Sequence, residues 1–250
     1  MPKPAETPRR PDEFASYLKT PEPVLLVGGQ AVNLWALYFG DVTADLAPFV
    51  SADADVLGNR ETLESLGRIA KTKPQFFPLR PPSNEVGVVT ISGSDGNTLL
   101  VEVLRSVHGV TEAELRNPAY LFELGEYRTQ VLVPGPIALL RAKVANAHDF
   151  DQTGRQDFRH VQILARILPK YLQQLVDTAA SKSPGALTDR TVVDYAESLL
   201  KLLREPKSKK VFGELGISRT ALFLKLVTPP SLPKFGQFLE IRLPKALPPE

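Results

Sequence analysis

The hydrophobic period of this chain switches once, near residue 135, from the short runs and alternation of strands to the repeat of helices. That switch predicts an α+β protein: a small mixed sheet with flanking helices, followed by a helical C-terminal domain. Before it, "PVLLVGG" is an apolar run closed by Gly28 and Gly29, which reads as a buried strand. "QAVNLWALYFG" carries Val32, Trp35 and Phe39 at helical spacing, with Trp35 in the core and Gly40 as the stop. "FVSADADVLG" reads as a second strand. "GVVTISG" and "NTLLVEVLRSV" are β-rich and joined by "SDGN", a hairpin turn signal. "YRTQVLVPG" is a further strand, ended by proline.

After the switch, "GPIALLRAKVANAH" opens with Pro136, well suited to a first helical position. "RQDFRHVQILARIL" puts Phe158, Val161, Leu164 and Leu168 on one face. "TDRTVVDYAESLLKLLRE" does the same with Val192, Tyr195, Leu199 and Leu202, and Thr188 is its expected N-cap. Six of the 23 prolines lie in residues 1–23 and six in 228–250, so both ends read as extended arms. The expected layout is therefore an arm over 1–23, a sheet domain over 24–135, a helical domain over 136–227 and a second arm over 228–250.

Composition narrows the chemistry. The chain has no cysteine, which removes disulfides, thiolate zinc sites and cysteine nucleophiles, and suits a reducing cytoplasm. No apolar run reaches the length of a transmembrane helix, and the first residues lack the apolar core of a secretory leader, so no membrane partner is expected. The net charge of +2 is uneven: residues 1–150 are acidic by four charges and residues 151–250 basic by six. Three histidines in no metal-binding arrangement make zinc a poor expectation.

Three acids stand out. Asp53 and Asp55 are two apart on a strand and share one side of it. Carboxylates that close repel unless a cation lies between them, and a divalent metal supplies one; Mg²⁺ (or Mn²⁺) favours carboxylates combined with substrate phosphates. The other reading is a turn-capping pair at a strand end. Glu102 is the lone acid of an apolar run, with Leu100 and Leu104 on its own face; pairing, a metal, or an edge strand facing water would account for it. Gly28 and Gly29 let backbone N–H groups at a helix start approach a phosphate, or else form only a tight turn. Ser51 stands just before the Asp pair, as a phosphate-positioning group or a strand-start serine.

The order strand, Gly-Gly, helix, Asp-x-Asp strand, hairpin, strand with one acid resembles the nucleotidyltransferase superfamily that includes DNA polymerase beta. "LLVGGQAVNLWA" is similar to the opening of AbiEii-like, toxin-type bacterial nucleotidyltransferases. The resemblance spans roughly residues 24–168 and implies Mg²⁺-dependent transfer of a nucleoside monophosphate from an NTP to a hydroxyl, with release of pyrophosphate. It implies Asp53, Asp55 and Glu102 as catalytic metal ligands, and Gly28, Gly29, Gln30, Ser51 and Lys143 around the nucleotide. Asp157 is implied as an orienting group, and Asn33 as a further lining residue. Acceptors implied are RNA (including tRNA), a protein side chain or a small molecule, with a cognate antitoxin as partner. Two departures are the 23 residues between Gly29 and Asp53 and a Glu as third acid. They keep open a second reading, a non-catalytic fold that binds nucleic acid or protein. "REPKSKKVFGELGISRTALF" adds Lys207, Lys209, Lys210 and Arg219 as candidate contacts to a polynucleotide backbone, and "FGELGISRTALFLKL" has a helix-turn-helix flavour with Gly216 at the turn.

Overall fold

The computed structural model describes residues 7–80, 83–92, 98–181, 187–223 and 226–248. Its contacts divide the chain into two units, residues up to 40 with 44–142, and residues 41–43 with 143 onward. No helix among the described residues is long and apolar enough to cross a membrane.

The first unit is built on seven strands: β1 (Leu25–Val27), β2 (Asp53–Leu57), β3 (Gln75–Phe76), β4 (Glu85–Ser92), β5 (Thr98–Leu104), β6 (Ala119–Leu124) and β7 (Thr129–Pro134). They form one mixed sheet in the order β3-β4-β5-β2-β1-β7-β6. β2 runs parallel to β5 and antiparallel to β1, and β1 is parallel to β7. β4 and β5 pair antiparallel, as the hairpin reading requires; the "SDGN" turn lies outside the described residues. β1 is buried throughout, which matches its uninterrupted apolar run. In β5 burial alternates, so Leu99, Val101 and Val103 enter the core while Leu100, Glu102 and Leu104 take the other face.

Four helices belong to this half of the sequence: α1 (Gly28–Tyr38), α2 (Gly40–Thr43), α3 (Arg60–Ile69) and α4 (Glu112–Arg116). Part of the 23-residue stretch between Gly29 and Asp53 folds into α2 and a 3₁₀ turn at Ala44–Leu46. Trp35 is a core residue: 3% exposed, it donates its indole N–H to the Pro134 carbonyl at 2.8 Å and meets Tyr120 and Phe122 edge-on. Residues 11–17, read from proline content as part of an extended arm, form a 3₁₀ helix that buries Phe14 and Leu18 completely.

The second unit is helical. α5 (Pro136–Asp149) leads into it, followed by α6 (Asp157–Ala180), α7 (Asp189–Leu203), α8 (Pro206–Glu214), α9 (Pro233–Gln237) and α10 (Leu243–Ala246). α6 packs on α7, with Val161, Leu164 and Leu168 fully buried on its expected face. Thr188 caps α7 by accepting from the Thr191 N–H at 3.1 Å. The C-terminal stretch is a helical run that buries Leu232, Phe235, Phe238 and Leu247, in place of an extended arm. Beyond α8, Gly216 (φ +63°) turns the chain into a 3₁₀ segment, Arg219–Phe223, so among the described residues no second full helix follows the turn.

Candidate metal centre

The register of three strands builds the site. Val27, Asp55 and Glu102 lie side by side across β1, β2 and β5, and Asp53 sits one pleat away beside Leu100. Residues that pair across strands share a sheet face, so all three carboxylates lie on one side. Ala54, Val56, Val101 and Val103 alternate with them into the core on the other. Each of the three acids is half-buried, and one carboxylate oxygen from each lies within 4.8 Å of the others. β5 is an interior strand between β4 and β2, so Glu102 is not an edge-strand acid.

Gly28 closes this arrangement. Its φ of +67° lies in the region where L side chains are strained, and a Cβ built there would stand 1.8 Å from Asp55 Oδ2. The backbone at the start of α1 therefore presses directly on the Asp55 carboxylate, which only glycine permits. Gly29 follows on the first turn of the helix, where backbone N–H groups have no intrahelical acceptor. Ser51 donates its hydroxyl to Asp53 Oδ1 at 3.1 Å, and its main chain is bridged antiparallel to Arg9. So Ser51 fixes the first carboxylate of the pair.

Gln30 takes a different place from the one implied for it. It is 1% exposed, and its amide donates to the Arg9 carbonyl at 3.0 Å and the Ser51 carbonyl at 3.4 Å. Asn33, fully buried, donates to Gln30 Oε1 at 3.3 Å. The pair holds the segment around Arg9 against the entry to β2 and does not line an open pocket.

Lys143 and Asp157 belong to the second unit. Lys143 Nζ lies 3.0 Å from Asp157 Oδ1, with both side chains nearly inaccessible. Arg155 Nε reaches Asp157 Oδ2 at 2.7 Å, and Asn146 donates to Oδ1 at 3.5 Å. Burial alone would push the Asp157 carboxyl up; Lys143 and then Arg155 outweigh it and hold the group below the usual carboxylate range. His160, one turn along α6, is 4% exposed, and neither ring nitrogen has a hydrogen-bond partner among the described residues. Burial, and then the Lys143 charge, push its imidazole well below the ordinary value, so it is held neutral. Arg155 is the member that the sequence reading passed over; its signal was the Arg-x-Asp spacing just before a helix. Among the basic residues considered for nucleic acid, Arg219 is buried and donates to the Leu203 carbonyl at 2.7 Å, and Lys207 pairs with Asp149. Arg219 is therefore not available to a polynucleotide.

No family model matches the chain, and no curated relative matches it. Among solved structures it is similar to an antigenic nucleotidyltransferase-like protein from Paracoccidioides brasiliensis, at 14% identity over 64% of this chain and 78% of that one, with a TM-score of 0.40. A likeness of that degree says nothing of chemistry.

Proposed function

We propose that this protein is a metal-dependent nucleotidyltransferase that moves a nucleoside monophosphate from an NTP to a hydroxyl acceptor. The observation that carries the reading is the gathering of Asp53, Asp55 and Glu102 on one sheet face, with oxygens within 4.8 Å, beside a glycine start to α1. Three carboxylates drawn together on interior strands repel one another, and a hard divalent cation with oxygen ligands fits that donor set. Bound there, Mg²⁺ or Mn²⁺ supplies the positive charge that offsets the charge developing on phosphoryl oxygens and leaving group.

The chain's own groups have distinct tasks in this reading. Asp53 and Asp55 hold the metal, and Ser51 keeps Asp53 in orientation through its 3.1 Å hydrogen bond. The free N–H groups on the first turn of α1 bind nucleotide phosphate, favoured by the positive end of the helix dipole. Glu102 completes the metal ligands and takes the proton of the acceptor hydroxyl. The bond from that oxygen to the α-phosphorus forms as the bond from phosphorus to the β-phosphate oxygen breaks, and pyrophosphate leaves with the electron pair.

The test is label transfer. Purified protein is incubated with Mg²⁺ and each α-labelled NTP, with RNA and protein extract offered as acceptors, beside Asp53→Ala. Mg²⁺-dependent labelling that the variant lacks supports the reading and names the acceptor class. Labelling that persists in Asp53→Ala, or in EDTA, overturns it.

A further inference from the structure

A cavity lies toward the other end of the strands that carry the acids. Asp55 and Glu102 each stand three residues before the residues that open onto it, Gly58 and Arg105. At strand spacing that is about 10 Å along the sheet. The cavity measures about 790 Å³, within the range that holds small-molecule ligands. It lies wholly within the first unit.

Its floor is apolar, from the buried Leu25, Leu57 and Val86. Its walls carry three guanidiniums, Arg60, Arg105 and Arg116, against two carboxylates, Glu22 and Glu112. Two of the arginines already face a carboxylate: Arg60 with Glu64 at 2.9 Å and Arg116 with Glu112 at 2.7 Å. Arg105 differs. Its Nη1 donates to the Ser83 and Glu85 carbonyls, at 3.3 and 2.6 Å, which fixes the plane of the guanidinium. Among the described residues no carboxylate pairs with it, so Nε and Nη2 are left to offer a charged donor fork to the cavity. The same cavity is lined by Phe76, 38% exposed on the edge strand β3, with the Arg60 guanidinium 4.5 Å from its ring centroid.

We infer that this cavity binds a planar aromatic ligand carrying a single negative charge, its anion held by Arg105 and its ring against Phe76. Arg105 is the wall guanidinium with no carboxylate partner among the described residues, and its single charge matches a monoanion. The apolar floor and the guanidinium-on-ring platform match a flat hydrophobic body. A carboxylate on an aromatic ring and a phosphodiester beside a nucleobase share this chemistry. The inference is independent of the metal centre, because none of its residues is an acid of that site.

Isothermal titration of the full chain in EDTA tests it. The probes are 2-naphthoate and adenosine 3′,5′-cyclic phosphate, with adenosine and acetate as controls lacking the charge or the ring. One aromatic monoanion binds with Kd of about 1 mM or tighter, the controls do not, and the better probe identifies the anion type. Arg105→Gln weakens binding about tenfold, as loss of a charged hydrogen-bonding partner does. Phe76→Leu, at a partly exposed position on the edge strand, keeps an apolar side chain there, weakens binding severalfold, and carries the test if Arg105→Gln lowers the melting temperature. Asp55→Asn leaves it unchanged. Absence of binding by both anions, equal binding by the controls, insensitivity to Phe76→Leu, or loss in Asp55→Asn overturns the assignment.

Discussion

Asp55 and Asp157 are both shielded acids, and their surroundings are opposites. Asp55 stands in the sheet among other carboxylates, gathered there by strand register. Asp157 stands in the helical unit between two cations, Lys143 at 3.0 Å and Arg155 at 2.7 Å. Carboxylates gathered that closely repel one another unless a cation lies between them. A buried carboxylate between cations is part of the fold, because removing it strands a charge that water cannot reach. The difference teaches how to separate a site from a scaffold: substitute each acid by its amide and ask whether chemistry or stability changes.

The largest expected effect is on chemistry. Asp55→Asn lowers Mg²⁺-dependent nucleotidyl transfer by about 1000-fold, the order seen when a group stabilising transition-state charge is lost. In EDTA the same variant unfolds in urea within about 1 kcal/mol of wild type, or later, because a repulsion has been relieved. Asp157→Asn reverses the pattern, costing about 3 kcal/mol in urea through the unpaired, buried Lys143. Equal destabilisation by both variants would break the comparison and make the triad structural.

Gly28→Ala comes next. The positive φ alone costs about 2 kcal/mol, and the new Cβ must also displace the Asp55 carboxylate. Both stability in urea and the rise in melting temperature with Mg²⁺ therefore decrease, which a strain confined to the backbone would not produce.

The smallest effect sharpens the picture of the helical unit through pH. His160 is held neutral, with its folded pKa depressed, so its contribution is present above the unfolded imidazole value of about 6.5. It is lost as pH falls below that value, with a slope on the order of 1 kcal/mol per pH unit. His160→Phe flattens the urea stability profile between about pH 7 and 5. Asp157, whose pKa is depressed as a carboxylate, keeps its contribution until pH falls below about 3.9, so its loss follows at lower pH. A wild-type profile flat from neutrality to that acid limit would remove His160 from the account.

Much of the acid cluster was readable from the sequence, because strand alternation places residues two apart on one face without further information. Asp53 and Asp55 needed only that rule. Glu102 needed the parallel pairing of β2 with β5, and its apolar neighbours already argued against a wet edge. What stayed hidden depends on tertiary contacts. Nothing in the sequence near Gln30 says that its amide will hold the carbonyls of Arg9 and Ser51, since those partners lie 21 residues away in each direction. The proline-rich ends misled for a different reason. Pro11 and Pro233 both fall in the first turn of a helix or 3₁₀ helix, where a missing N–H costs nothing, and the nearby Phe14 and Phe235 are buried. The same reasoning applied to Pro136 gave the right element there. α3 and β6 had no reading at all: α3 is announced by an Asn59 cap whose signal is local and weak, and β6 pairs only with its neighbour β7.

The alternation along β2 also governs how this chain can change over time. Asp53 and Asp55 occupy one face while Ala54 and Val56 fill the core from the other. A substitution at an acid alters the chemistry and leaves the packing in place. An insertion or deletion within the strand exchanges the two faces, burying carboxylates and exposing apolar side chains together. Descendants of this sequence that lose single acids of the cluster keep a folded sheet, available for other work. Those that shift the strand by one residue lose the acid cluster and the fold in the same step.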